Sequence, residues 1–272
     1  ATRSSSGLSK LAIDDTLVRR WGRRFDGLGL YPDPTDKNPG APRRKVWGHC
    51  WVVVALLWEK ARGSWFCFPL AARLFVPQRS LPAHWTFRTK IELAAELLDR
   101  LVAAGRPVIV VVDNLYAKAR LLGRQGLTLV SRLRSNASLY ELPPQPTSGR
   151  RGRQPLRGPH VAAKDLWRRR SRRRTLKARI YGRWVTIEAF VGVLMPSRTL
   201  GCQPILTLIF PQHSGKLNIF FSTDLAMDPA RLLELYAARF KIEDAFDELK
   251  THGGMGDCRQ RGFTANKRHV TL

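Results

Sequence analysis

A phenol, a guanidinium, a carboxylate and an amine stand at Tyr236, Arg239, Glu243 and Lys250 in the stretch YAARFKIEDAFDELK. On a helix turning about 100° per residue, these four fall in one stripe roughly 60° wide. Leu235, Ile242, Phe246 and Leu249 form an apolar face beside it. The stripe therefore borders the buried surface, where side chains are held rigidly and still meet a ligand. More acids close two strand-like runs: Asp14 and Asp15 in LSKLAIDDT, and Asp113 in RPVIVVVD. Ligands of open α/β sheets gather outside strand ends. If the helix packs across the sheet, an acid from each strand end can converge with Glu243. Three clustered carboxylates raise each other's pKa unless a dication neutralises them. Hard oxygen donors suit Mg²⁺ or Mn²⁺. Two such ions roughly 4 Å apart can activate a water or a 3′-hydroxyl and stabilise the leaving oxygen of a phosphoryl transfer. Neighbouring strand residues face opposite sides, so Asp14 and Asp15 cannot both enter one site, and the pattern alone does not choose between them.

The elements that must position these acids follow in a readable order. A strand at 8–16 precedes a Pro/Gly loop at 31–45. Two apolar aromatic runs, 46–59 and 64–75, predict an antiparallel hairpin, with Trp47, Trp51, Trp58 and Trp65 packed in its core. Helical spacing and a terminal glycine predict a helix over 88–105. The β-branched run 106–113 reads as a central parallel strand, followed by a short helix (114–123) and a strand (127–136). Residues 142–160 have linker composition, and 150–174 carry 11 Lys or Arg. Strand-like runs occupy 176–195, 203–212 and 216–225. Asp228-Pro229 then predict an N-cap and first turn, and Gly253-Gly254 the end, of one long helix. This is the order of an RNase H-like α/β fold, a mixed sheet flanked by helices. Its core would be discontinuous, 8–135 and 216–272, with a basic β-rich insertion at 136–215.

Composition narrows the partners. The chain has 272 residues and 44% hydrophobic content, enough for a sizeable core. Lys and Arg number 47 against 21 acids, a net charge of +26. Such a field attracts polyanions, DNA or RNA first. A membrane is disfavoured: no broad basic amphipathic helix is present, and the longest apolar run, WVVVALLW at 51–58, is too short to span a bilayer. The scattered Cys50, Cys67, Cys202 and Cys258 and the six His fit neither a disulfide framework nor a zinc site. The first residue is not Met and the sequence stops at RHVTL, so it reads as a fragment of a longer protein lacking a C-terminal tail. His49 and His252 read as structural or phosphate-facing residues. Arg132 and Arg134 in SRLRSN, and the run RRRSRRR at 168–174, read as DNA contacts.

With these residues in view, the chain resembles the DDE transposases of bacterial insertion sequences, in the group with a Tyr-Arg-Glu-Lys signature. Tyr236, Arg239, Glu243 and Lys250 match every spacing of that signature. AIDDT is similar to the family's first-acid strand, VVVDNLYAKA to its second, and SRLRSN and FFSTDL to further segments. The resemblance implies Asp15, the acid directly before the Thr, together with Asp113 and Glu243 as catalytic metal ligands. Tyr236, Arg239 and Lys250 would hold the cut DNA strand. It further implies two Mg²⁺ ions, replaceable by Mn²⁺. The expected activity nicks transposon ends and joins the 3′-hydroxyl to target double-stranded DNA. The resemblance also implies a missing N-terminal domain that recognises the ends, and a homodimer in a synaptic complex, in the bacterial cytoplasm at the nucleoid. A hairpin intermediate is common in such relatives, but no residue here decides it. Two other functions stand beside this one: an RNase H-like nuclease that does not join strands, and a domesticated DNA-binding protein without catalysis.

Overall fold

The structure, a computed structural model, describes residues 8–22, 24–36, 42–102, 106–122, 124–145, 154–197, 201, 203–212 and 214–270. Gly105, Cys202 and residues 146–153 of the expected linker lie outside them.

One sheet of twelve strands dominates. The first strand, β1 (Ser9–Arg19), runs antiparallel to β3 (Lys45–Ala61) and parallel to β5 (Val108–Val112). On its outer side β3 pairs with β2 (Gly29–Pro32) and β4 (Ser64–Phe75). Parallel to β5 lies β6 (Leu127–Leu133). The order β4-β3-β1-β5-β6 is that of an RNase H-like mixed sheet, and helices flank it. A two-residue strand β7 (Leu139–Tyr140) pairs with β8 (His160–Val161), and β9 (Arg173–Ile180) hairpins onto β10 (Arg183–Pro196). They join the same sheet through β11 (Ile205–Pro211) and β12 (Leu217–Ser222), which pairs with β6.

Each face of the sheet carries its own apolar cluster. Helix α1 (Lys90–Leu101) covers one face with Leu93, Leu97 and Leu98 against Leu11, Ile13, Val52 and Val54. Its start is fixed by a capping box: Thr89 accepts from the Glu92 amide, and the Glu92 carboxylate accepts from the Thr89 amide. The short helices α2 (Ala119–Leu122) and α3 (Ala163–Arg168) lie on this side, through Leu121 and Leu166. The opposite face receives α4 (Pro229–Ala238) and α5 (Lys241–Thr251). A last helix, α6 (Phe263–Val270), packs near β4.

The sheet curls around α4, which packs on β5, β6, β12 and β9. At the far end of the curl, Arg179 of β9 donates to the backbone oxygen of Arg62, 2.8 Å away in the β3–β4 turn. Glu234 of α4, fully buried, is held between them. It accepts from Arg62 and Arg231 and from the Arg179 amide at 3.0 Å. A carboxylate without exposure is tolerated because every partner donates to it.

Three expectations need correction. The long helix is two helices: i to i−3 bonds at Arg239, Phe240, Ile242 and Glu243 replace the regular ladder and turn the chain at Arg239–Phe240. The two strand acids do not end β1, which continues to Arg19; they sit where the pairing with β5 stops. Trp51 and Trp65 are core residues, but Trp58 is half exposed and packs only against Phe66 among the described rings. No helix among the described residues is long and apolar enough to cross a membrane.

Candidate active site

The last register pair of β1 and β5 is Ile13 with Val112. The next residues are Asp14 and Asp113, so the two acids sit side by side at the point where β5 gives way to a loop. Asp113 shapes that loop: its Oδ1 accepts from the amides of Leu115 (2.8 Å) and Tyr116 (3.3 Å), the usual side-chain turn of aspartate.

Pleating decides which acid of the DD pair faces the helices. Ala12 belongs to the cluster under α4 and α5, and Ile13 to the cluster under α1. Asp14 therefore points toward α4 and α5, and Asp15 toward α1. The side-chain contacts agree. Asp14 Oδ2 accepts from Arg239 Nη1 at 2.5 Å. Asp15 is bonded by Lys90 and Tyr116 on the far side. The expected acid, Asp15, thus lies on the α1 side in this structure, and Asp14 is the one beside Arg239.

Arg239, only 7% exposed, is the hub. Its Nη2 lies 3.5 Å from Glu243 Oε1 in the first turn of α5. Its guanidinium carbon sits over the rings of Tyr236 and Phe240, at 5.6 and 4.7 Å. Burial opposes its charge, but Asp14, Tyr236, Glu243 and Asp113 more than offset that and hold it protonated. Asp14 is pushed up to about 6, first by burial and then by Asp113 and Asp15, against the pull of Arg239. The buried Tyr236 phenol is also raised, chiefly by burial; Arg239 and Arg132 work the other way.

Other expected residues take graded positions. Arg132, on the α4 face of β6, lies 6.0 Å from the Phe220 ring, which packs against Tyr236. Arg134 is exposed beyond the end of β6. Lys250 is half-buried in the last turn of α5; burial lowers its pKa, with Asp247 raising it and Arg19 lowering it further. Lys250 is seven residues beyond Glu243 on α5, about 10 Å along the helix. Tyr181 is an addition that the sequence pattern does not show. It occupies the β9–β10 turn with φ 50, rare for an aromatic residue, and its ring lies 6.2 Å from Phe240. The neighbouring glycine, Gly182 at φ 78, is the available turn signal.

The donor chemistry fits a hard dication: Asp14 and Asp113 adjoin, and Glu243 reaches the same cation as Asp14. As the side chains stand, the guanidinium of Arg239 is that cation. Among the described residues no group of three His, Cys, Asp or Glu is gathered tightly enough to hold a metal ion.

A solved structure of the piggyBac transposase synaptic complex with hairpin DNA is 12% identical, with a TM-score of 0.43. The similarity covers 89% of this chain and 40% of that one, so the chain spans less than half the length of that transposase. No curated protein matches. The family model for the DDE superfamily endonucleases matches residues 2–188, more than half of the sequence, with Asp14, Asp15 and Asp113 among them. The chain belongs to the DDE superfamily endonucleases.

Proposed function

We propose that the chain is the catalytic core of a DNA transposase of the insertion-sequence type, with Asp14, Asp113 and Glu243 holding two divalent ions, Mg²⁺ or Mn²⁺. The observation that carries this reading is the gathering of Asp14, Glu243, Tyr236 and, electrostatically, Asp113 about one buried guanidinium. It fits the family, although the family match ends before Glu243. When bound, the ions would supply a metal-activated nucleophile and neutralise charge on the leaving oxygen. The chain's own residues do the rest. The carboxylates of Asp14 and Asp113 fix the donors on two adjoining strands. Glu243 brings a third from a separate helix. Arg239 is the nearest cation for a phosphate presented to that edge, and can grip two of its oxygens at once. Tyr236 can donate one further hydrogen bond. Arg132, Arg134, Lys250 and the 168–174 run extend the cationic surface along the duplex. The partner is double-stranded DNA, transposon ends and target, bound by a homodimer in the bacterial nucleoid.

The test is cleavage and joining of a labelled end duplex with Mn²⁺. Loss of both in Asp14→Asn and Glu243→Gln, with duplex binding retained, is the expected result. Wild-type cleavage by Asp14→Asn would overturn the assignment. The family description names an endonuclease, so cleavage without any joined product favours the second reading, a nuclease.

A further inference from the structure

Behind the candidate site, on the α1 face, a compact polar cluster has no part in the chemistry above. Its centre is Asp15. The Tyr116 hydroxyl donates to Asp15 Oδ1 at 2.9 Å, Lys90 Nζ to Oδ2 at 2.6 Å, and the Cys50 thiol to Oδ2 at 3.3 Å. Tyr116 is fully buried, and Lys90 lies 5.5 Å from the Phe75 ring. Three donors, from β3, α1 and the loop after β5, converge on one carboxylate and hold it rigidly.

The cluster also closes a mechanical circuit. Tyr116 is bonded at both ends: its amide donates to Asp113 Oδ1, and its hydroxyl to Asp15 Oδ1. Asp15 is covalently next to Asp14, and its amide donates to Asp14 Oδ1 at 2.9 Å. From Asp113 through Tyr116 and Asp15 to Asp14, a chain of hydrogen bonds links the two acids from the α1 side. Parallel pairing of β1 with β5 has stopped at Ile13 and Val112, so it does not itself hold Asp14 against Asp113.

We infer that Asp15 and Tyr116, steadied by Lys90, are positioning residues: a strut that sets the spacing of the Asp14 and Asp113 carboxylates and so the affinity of that pair for a divalent ion. This rests on the assignment of Asp14 and Asp113 as metal ligands. Asparagine at position 15 keeps the oxygen that accepts from Tyr116; alanine does not. Phenylalanine at 116 keeps the buried ring and removes only the hydroxyl.

The experiment is Mn²⁺ binding to the full chain, by calorimetry and by electron paramagnetic resonance, with no DNA present. Asp15→Asn should bind within about twofold of the parent, whereas Tyr116→Phe and Asp15→Ala should each bind about tenfold more weakly, in the range for partners that orient a metal ligand from behind. The double change Asp15→Ala/Tyr116→Phe should be no weaker than either single one, because both cut the same circuit. Asp14→Asn should abolish the site. Parent-like affinity in Tyr116→Phe, alongside loss in Asp14→Asn, overturns the strut and leaves the ligand assignment standing. Loss in Asp15→Asn with retention in Asp14→Asn overturns the ligand assignment itself, and Asp15 is then the donor. If Asp15→Ala does not fold, Tyr116→Phe against Asp15→Asn decides the question alone.

Discussion

Two carboxylates one residue apart on β1 live in opposite conditions. Asp14 faces α4 and α5, where its partner Arg239 is shared with Glu243, and Glu243 is 55% exposed. Asp15 faces α1, where Tyr116, Lys90 and Cys50 all donate to it. The first side gathers carboxylates about one buried guanidinium; the second gathers donors about one carboxylate. Chemical type does not separate these acids, since both are aspartates near basic side chains. What separates them is the set of side chains on the face each one meets.

The largest effects should fall on the Arg239 side. Asp14→Asn, Asp113→Asn and Glu243→Gln should each reduce Mn²⁺-dependent cleavage to background. Asp15→Asn should leave it measurable, and equal losses at positions 14 and 15 would erase the distinction between the two faces. Next comes Arg239→Ala, which should slow single-turnover cleavage about 100-fold, as removal of a well-placed charge-stabilising donor does. It should leave Mn²⁺ binding no weaker, because the variant removes the cation competing for Asp14 and Glu243. Weaker Mn²⁺ binding would make Arg239 a scaffold for the carboxylates.

A smaller effect concerns pH without metal. Asp14 is raised to about 6 in the folded chain from an ordinary 3.8. The folded state then holds the proton more tightly than the unfolded one. Its stabilising contribution is complete below about pH 4 and is lost as pH rises through 6, roughly 1–3 kcal/mol in all. Thermal denaturation from pH 4 to 7 should show this decline, and Asp14→Asn should flatten it. Decline of the same size in Asp14→Asn would assign it to other groups. The smallest effect concerns the 168–174 run. Neutralising four arginines of the 168–174 run should lower the salt slope of non-specific duplex binding by about 0.9 for each phosphate released from the protein, with Mn²⁺ affinity unchanged.

Much of this is legible in the sequence, for reasons that are local. Asp113 closes a β-branched run, and Asp228-Pro229 open a helix through capping chemistry that needs no distant partner. What stays hidden depends on tertiary contact. The motif resemblance points to Asp15, but the phase of a strand is read only when the helix covering each face is known, and α4 arrives more than two hundred residues later. The turn at Arg239–Phe240 contains neither Gly nor Pro; the curled sheet over α4 and the β9–β10 turn at Phe240 surround it. The roles of Tyr116 and Lys90 depend on side chains meeting across three elements. Trp58 reads as core because its neighbours are apolar, yet it stands half exposed beside Phe66.

The clasp of Glu234 with Arg62, Arg179 and Arg231 carries a consequence for how the chain is made. It joins residues 62, 179 and 234, and the sheet itself pairs β1 with β5 and β6 with β12, about a hundred residues apart in each case. The β1–β5 pairing can close once the amino-terminal half has emerged, but the β6–β12 pairing and the clasp wait for the second half. Until residue 251 has been synthesised, the apolar face that α4 and α5 will cover has nothing against it, and the nascent sheet presents that face to its surroundings. Such long-range closure makes folding slow and late. A molecule stalled before α4 would hold Asp14 and Asp113 with neither Arg239 nor Glu243, so the proposed site would be complete only with the segment that completes the core.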